Sequence, residues 1–557
     1  GEVTSSTGQK VKLSRPLDFL MVADHSDNMG FFPALAGGDP EMLADPTGRR
    51  WYDMIKKGGQ DGVAAAIEIV QSLTANSFPD VLYLAPGTDA YRSAWELTIK
   101  AAEDNNQPGS FTALIGYEWT STEKGFNLHR VVVYRDNGVK ASIVEPYTTL
   151  PPYGSPDPRE LWKWMGDYED KTGGRLLAIA HNGNLSNGIM FPETRTYFDA
   201  RVDREYVETR ARWEPLYEAT QIKGDGETHP FLSPNDEFAD FGSWDLANLN
   251  GSEAKTEDML AYEYGREALK IGLQIEQREG VNPYKFGMIG STDSHTSLAT
   301  ADDNEFLGKH SGTEPGPKRL EHAMAEINDL RIEGWDQLAS GYAAVWATEN
   351  SRAAIFDAMM RKEVYATTGP RMVVRFFGGW DFSDADTDSD IAAVGYGKGV
   401  PMGADLPAAS NDSAPSFLVS ALRDPDGGNL DRVQIIKGWV DAEGERQEQV
   451  YDVAWGDADS RQPGEDGRLP PVGNTVDVAS ASFENTIGDE QLTTVWTDPD
   501  FDPALSAFYY VRVLEIPTPR WTAYDVLEYG AVIPDGMDDS DWVAQQRAYT
   551  SPIWYTP

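Results

Sequence analysis

Asp293 and His295 lie two residues apart in Phe286-Gly-Met-Ile-Gly-Ser-Thr-Asp-Ser-His295, just beyond an apolar run. Phe286 to Ile289 reads as a short buried strand, and the Gly-Ser turn after it presents the two side chains. In an extended Asp-x-His, side chains two apart point the same way, so carboxylate and imidazole converge. Convergent Asp and His suit a metal ion such as zinc, manganese or iron. A turn after a strand also carries Asp and Ser to satisfy its own backbone, so this stretch alone leaves both readings open.

Other stretches repeat the pattern. The chain has seven histidines, at 25, 129, 181, 229, 295, 310 and 322. Leu17 to Ala23 runs into Asp24-His25, Phe111 to Tyr117 into Glu118, and Leu176 to Ala180 into His181, while His129 opens the run Arg130 to Tyr134. One histidine at a strand end is an ordinary structural residue. Four of them, joined by Glu118 and Asp293, favour a polynuclear metal centre. His310 and His322 lie in polar surroundings and receive no role.

The elements that must position these groups alternate. Helical patterns at about 60–73 and 90–103 precede the strand ending on Glu118, and a hairpin then delivers His129. Asp157-Pro158 is a helix start, with Asp as cap and Pro in the first turn, and Gly173-Gly174 is its stop. A polar region at about 183–255 contains one strand-like piece, Leu216 to Ile222, and reads as an insertion over a barrel mouth. A long helix at 256–279 leads to Phe286, and a loop at 301–318 precedes a helix near 319–328. The strand Tyr342 to Trp346 and a helix at 350–362 follow. Strands alternating with helices indicate an α/β fold with a largely parallel sheet, and closed α/β barrels carry their sites at the C-terminal strand ends. From 371 to 557 the texture is β-type, with turns such as Asp424-Pro-Asp-Gly-Gly428 and no helix of comparable quality. Two domains are expected, 1–370 and a β-rich 371–557 packed on it.

Composition sets limits on partners. With 47 basic and 90 acidic residues the net charge is −43, which repels nucleic acid and anionic membranes and argues against both. No apolar run reaches the length of a membrane span. The absence of cysteine excludes disulfides, thiolate zinc sites and a Cys nucleophile. It suits an exported bacterial protein, periplasmic or secreted. Asp384-Ala-Asp-Thr-Asp-Ser-Asp390 imitates a calcium loop, but Ser389 stands where Gly is needed and Gly395 where Glu is needed, so it reads as an acidic surface loop.

The set Ala23-Asp-His25, Gly116-Tyr-Glu118, His129, Ile179-Ala-His181-Asn and Gly290-Ser-Thr-Asp293-Ser-His295 resembles the PHP (polymerase and histidinol phosphatase) superfamily. The resemblance implies a metal-dependent phosphoesterase on a distorted, TIM-like (β/α)7 barrel, with residues 183–255 over the mouth. It implies two or three divalent ions (Mn, Zn or Fe) with Glu118 as bridge. His25, His129, His181, Asp293 and His295 would be terminal ligands, with Asp24 orienting an imidazole behind them. The reaction would be hydrolysis by metal-activated water, with Glu118 and Asp24 in the catalytic machinery. Arg130, Lys223 and His229 flank these motifs and are candidates to hold the charge of a small anionic substrate. Two alternatives stay open: a hydrolase of a non-phosphate ester, and an inactive relative that binds a ligand. The family also begins with a His-x-His strand that nothing before Asp24 supplies. A barrel strand at Leu17 to Val22 needs a neighbour, so a native chain extending upstream of Gly1 is expected.

Overall fold

The computed structural model describes residues 2–557 apart from 5–9, 75–76, 297, 299–301, 311–312, 328–329, 409–412 and 466. Its first sheet is built from the runs that carry the site. These are β1 (Phe19–Met21), β2 (Thr112–Trp119), β3 (Arg130–Tyr134), β4 (Leu176–Ala180), β5 (Leu216–Gln221), β6 (Gly224–Asp225) and β7 (Gly287–Gly290). Leu-Leu-Ala-Ile-Ala in β4 is apolar on both faces, as a central strand must be, and every one of its residues is buried. The strand order is β6-β5-β4-β3-β2-β1, with β7 also paired to β5.

This is not the expected (β/α)7 barrel. Among the described residues β1 pairs only with β2, so the sheet stays open. A parallel closed barrel needs a crossover between every pair of strands. Here β2 and β3 are joined by a short hairpin and run antiparallel, and β3 and β4 are antiparallel as well. Among the described residues of this sheet, only the β1/β2, β4/β5 and β5/β7 pairs are parallel. The next expected barrel strand, β8 (Tyr342–Val345), pairs antiparallel with a further strand, β9 (Val364–Thr367).

Those two strands belong to a second sheet. It contains β13 (Leu430–Val440), β14 (Arg446–Trp455), β16 (Ala507–Glu515), β17 (Arg547–Thr550) and β18 (Ile553–Tyr555), in the order β8-β9-β17-β16-β13-β14 with β18 on β16. Strands from both sides of residue 370 therefore share one hydrogen-bonded ladder. A third sheet, β11-β10-β12-β15, is made of β10 (Val373–Gly379), β11 (Gly399–Pro401), β12 (Ser416–Leu422) and β15 (Gln491–Thr497). Phe376, Phe417, Val419, Ile435, Tyr509 and Val511 fill the space between the second and third sheets, an inter-sheet core of the sandwich kind.

Local signals set several helix ends. Asp157 accepts the Arg159 N–H ahead of Pro158–Thr172, and Gly173 ends that helix at φ 64°. The same Asp-Pro device starts Pro40–Ala44 and Pro46–Lys57, ahead of the first helix that periodicity predicts. Gly59–Thr74 and Asp89–Asn105 fall where periodicity puts them, whereas Arg204–Trp213 is an additional helix inside 183–255. The expected helix at 256–279 is Glu257–Leu260 followed by Gly265–Glu279. The helix expected near 319–328 is a single 3-10 turn, Arg319–Glu321, followed by a strand at Ala325–Ile327, and residue 328 lies outside the described set. Two helices, Ile391–Lys398 and Trp521–Tyr529, lie in the region that reads as β-type. In the acidic loop Asp390 caps the first of them and Asp386 pairs with Lys398, so those carboxylates serve local structure. No described helix is long and apolar enough to cross a membrane.

The first sheet's core holds Trp95, Trp119 and Trp162 at 1% exposure or less. Burying each stabilises the fold by about 2–3 kcal/mol. Buried ion pairs fix the 183–255 region on the second sheet. Arg266 meets Glu227 at 2.6 Å and Asp236 at 2.9 Å, and Arg512 of β16 meets Asp236 at 2.6 Å.

Candidate metal centre

Register brings the chemistry-bearing residues to one end of the first sheet. Trp119 of β2 faces Arg130 of β3, and Arg130 faces Ala180 of β4. Because the hairpin inverts β3, His129 before that strand meets Glu118 and His181 near the ends of β2 and β4. On the far side of β4, β5 and β7 run parallel to it and end with Gln221 and Gly290. His25 joins from beyond β1 through a parallel bridge to Glu118, where the Glu118 N–H donates to the Asp24 carbonyl and the Ser26 N–H to the Glu118 carbonyl, each at 2.8 Å.

One carboxylate oxygen is the focus. Glu118 Oε1 lies 2.8 Å from His129 Nδ1, 3.4 Å from His181 Nε2 and 3.6 Å from His25 Nδ1. Glu118, His129 and His181 are buried, their donor atoms lie within 4.8 Å of one another, and the group could hold a metal ion. Threonine hydroxyls set the rings: Thr122 Oγ1 is 2.7 Å from His129 Nε2, and Thr120 Oγ1 is 2.5 Å from His25 Nδ1. That leaves His25 Nε2 facing His295 Nε2 at 3.3 Å.

Asp293 is held differently from the extended Asp-x-His. Its φ is 51°, the left-handed region that Asp tolerates better than most residues, so it and His295 do not simply share one face of a strand. Its carboxylate meets two ammonium groups, Lys223 on Oδ2 and Lys309 on Oδ1 at 2.9 Å, and Gln221 Nε2 donates to Oδ2 at 2.8 Å. Lys309 Nζ also donates to the Asp293 carbonyl and lies 2.7 Å from His295 Nδ1.

Burial pushes the Glu118 carboxyl up, but the imidazoles of His25, His181 and His129 outweigh it and hold it well below the usual range. Burial lowers His129 to about 4 against the pull of Glu118, so this ring is neutral at neutral pH, as a ligand must be. At His181 burial also pushes down, and Glu118 wins, raising it. At Asp293 burial pushes up, and Lys223 and Lys309 together bring the carboxyl well below its usual range. Burial brings Lys309 down to about 7 although Asp293 opposes it.

Three expected residues lie elsewhere. Asp24, expected behind an imidazole, is exposed, and its carboxylate accepts from the Thr98 hydroxyl at 3.2 Å. Arg130 is buried and committed to Glu214 at 2.9 Å and the Leu128 carbonyl at 2.5 Å, which makes it a core residue. His229 pairs with Asp245 at 2.9 Å beside Tyr264. Lys223 is at the site. The sequence reading misses Lys309, Gln221, Glu218, the two threonines and His310, whose ring centroid is 5.1 Å from that of His295. Glu218 sits on β5 opposite Ile289, buried, with Ser291 Oγ donating to it. Burial raises its carboxyl despite nearby His181. Glu218 and Gln221 were discoverable, since both lie on the one strand-like piece of 183–255. Lys309 carries no local signal.

No curated protein and no solved structure matches the chain. One family, described as "Protein of unknown function (DUF3604)", matches residues 1–557. Since that match spans the whole chain, this protein belongs to the DUF3604 family.

Proposed function

We propose that this protein is a metal-dependent hydrolase of phosphate esters. The observation that carries the reading is the buried Glu118 oxygen with three imidazole nitrogens within 3.6 Å. The donor set fits a divalent ion of the zinc, manganese or iron class. Ligands at 2.0–2.2 Å around a tetrahedral ion lie about 3.4 Å apart, close to the 3.4 Å of Glu118 and His181 and the 3.3 Å of His25 and His295. His181 Nδ1, buried without a hydrogen-bond partner among the described residues, marks a ring whose donor capacity the protein alone does not use.

Glu118, His129 and His181 would hold one ion, and His25, His295 and Asp293 a second. The motifs around these residues resemble those of PHP phosphoesterases apart from the missing His-x-His, and that resemblance supports the reading. Bound divalent ions would acidify a water and offset charge on the substrate's oxygens. The chain's own part is orientation and electrostatics. Thr122 and Thr120 hold the His129 and His25 rings. Trp119, the next residue in the strand, is fully buried in the sheet's core and anchors the strand end that carries Glu118.

The test is metal analysis of the purified protein, then assay of the Mn-, Zn- and Fe-loaded forms on chromogenic phosphate monoester, phosphodiester and sulfate ester. Metal-dependent release from a phosphate ester, absent in Glu118→Gln, is expected. A fully metal-loaded protein that cleaves none of the phosphate esters would overturn the proposal.

A further inference from the structure

The site contains two buried lysines, and an ammonium in a protein interior is costly unless something negative is there for it. Lys309 is 2% and Lys223 9% exposed, and the carboxylate they meet is the same one, Asp293. Both amino groups therefore share a single carboxylate as their anionic partner.

The two ammonium groups differ in what they have left to give. An ammonium has three N–H donors. Lys309 donates to Asp293 Oδ1 and to the Asp293 carbonyl, its Nζ lies 2.7 Å from His295 Nδ1, and the Lys309 carbonyl accepts the His295 N–H at 2.8 Å. One residue thus ties down both ends of the Asp293–His295 turn, including its left-handed residue. Lys223 Nζ meets Asp293 Oδ2 alone among the described residues, leaving two N–H groups to donate. Its partner carboxylate also accepts from Gln221 Nε2, at the Asp293–His295 half of the site.

We infer that the lysines divide the work of this site. Lys309 is a positioning residue that holds Asp293 and His295 in place. Lys223 binds the substrate and receives the non-bridging oxygens of a dianionic phosphate monoester, in preference to a diester. The inference rests on the hydrolase reading for the word substrate. The binding of an oxyanion by Lys223 can stand without it.

The experiment compares wild type, Lys223→Met, Lys309→Met and Lys309→Arg, each full length. Manganese content and affinity are measured first, then inorganic phosphate binding by calorimetry, then kcat and KM on 4-nitrophenyl phosphate and its bis-ester. Lys223→Met should keep its manganese, bind phosphate roughly 10- to 100-fold more weakly, and lose the monoester more than the diester, mainly in KM. Lys309→Met should bind manganese about 10- to 100-fold more weakly. Excess manganese should restore its phosphate binding, and Lys309→Arg should recover part of the affinity. Should Lys309→Met not fold, Lys309→Arg carries the test, with a manganese affinity between wild type and zero. Wild-type phosphate affinity in Lys223→Met, or wild-type manganese affinity in both Lys309 variants, would overturn the inference. A wild-type protein that binds phosphate through Lys223 but turns over no ester would defeat the hydrolase reading and leave this one in place.

Discussion

His129 and His181 meet at one end of a sheet although one precedes its strand and the other follows its strand. The antiparallel pairing of Arg130 with Ala180 brings them there, with ring centroids 5.5 Å apart. Glu118, on the strand across the hairpin, lies against both. The centre is therefore a product of strand direction, and an open mixed sheet builds it without barrel closure.

Glu118→Gln keeps the shape of the residue and removes its charge. Metal affinity should fall by more than the ~10- to 100-fold typical of losing a supporting contact, and hydrolysis should vanish. Circular dichroism and the thermal midpoint should stay near wild type, because the neighbouring rings can pair with an amide oxygen. Full metal content with retained turnover would remove Glu118 from the centre.

Gly290→Ala tests how closely the second sheet approaches the site. A Cβ there would meet the Tyr342 N–H nitrogen at 2.8 Å, the Tyr342 carbonyl at 2.9 Å and the Thr367 carbonyl at 3.0 Å, all of them backbone atoms that cannot step aside. The variant should lose roughly 1–3 kcal/mol in urea unfolding. Because β7 leads directly into Asp293, it should also lose metal affinity. Unchanged values of both would show that the ladder has slack here.

Asp225 gives a pH signature. Burial, aided by Glu227, pushes its carboxyl up to about 7, above the ordinary value of 3.8. The folded state then holds the proton more tightly than the unfolded state. The associated stability is complete below pH ~4 and is lost as pH rises to about 7. Asp225→Asn should flatten the curve, so that its stability relative to wild type improves by roughly 3 kcal/mol between pH 5 and 8. Parallel curves for the two proteins would refute the assignment.

Asp236 joins the 183–255 region to β16 by pairing with Arg266 and Arg512. Burial pushes its carboxyl up, and the two guanidiniums outweigh that and hold it well below the usual range. Asp236→Asn leaves both cations short of a partner and should cost about 3–5 kcal/mol. Asp236→Asn with Arg512→Met should recover part of that loss. Additive effects in the double variant would mean that the pair is not coupled.

Cleavage near residue 371 should not release two separate pieces. Val364–Thr367 of β9 is hydrogen-bonded to Arg547–Thr550 of β17, and β9 also carries β8. Limited proteolysis there should give fragments that elute together on size exclusion. Two stable, separately eluting halves would contradict the shared ladder.

What the sequence determined by itself is local. Asp157-Pro158 and Gly173 set a helix through their own backbone preferences, Asp39-Pro40 and Asp45-Pro46 do the same, and Leu176 to Ala180 is too apolar to be anything but buried. The ligand-type residues at strand ends were legible for the same reason, since each is defined by its immediate neighbours. The tertiary structure alone decided which strands share a sheet. The pattern of an apolar strand says nothing about direction or partner, so β8 reads as a barrel strand and instead joins β9, β17 and the C-terminal sheet. It also decided that Asp24, Arg130 and His229 point away from the site. Asp293 took a left-handed conformation that no extended-strand argument anticipates, and Lys309 reached it from a loop 16 residues on in the chain. Contacts of that kind depend on where distant backbone segments come to rest, and residue type and spacing do not encode that position one stretch at a time.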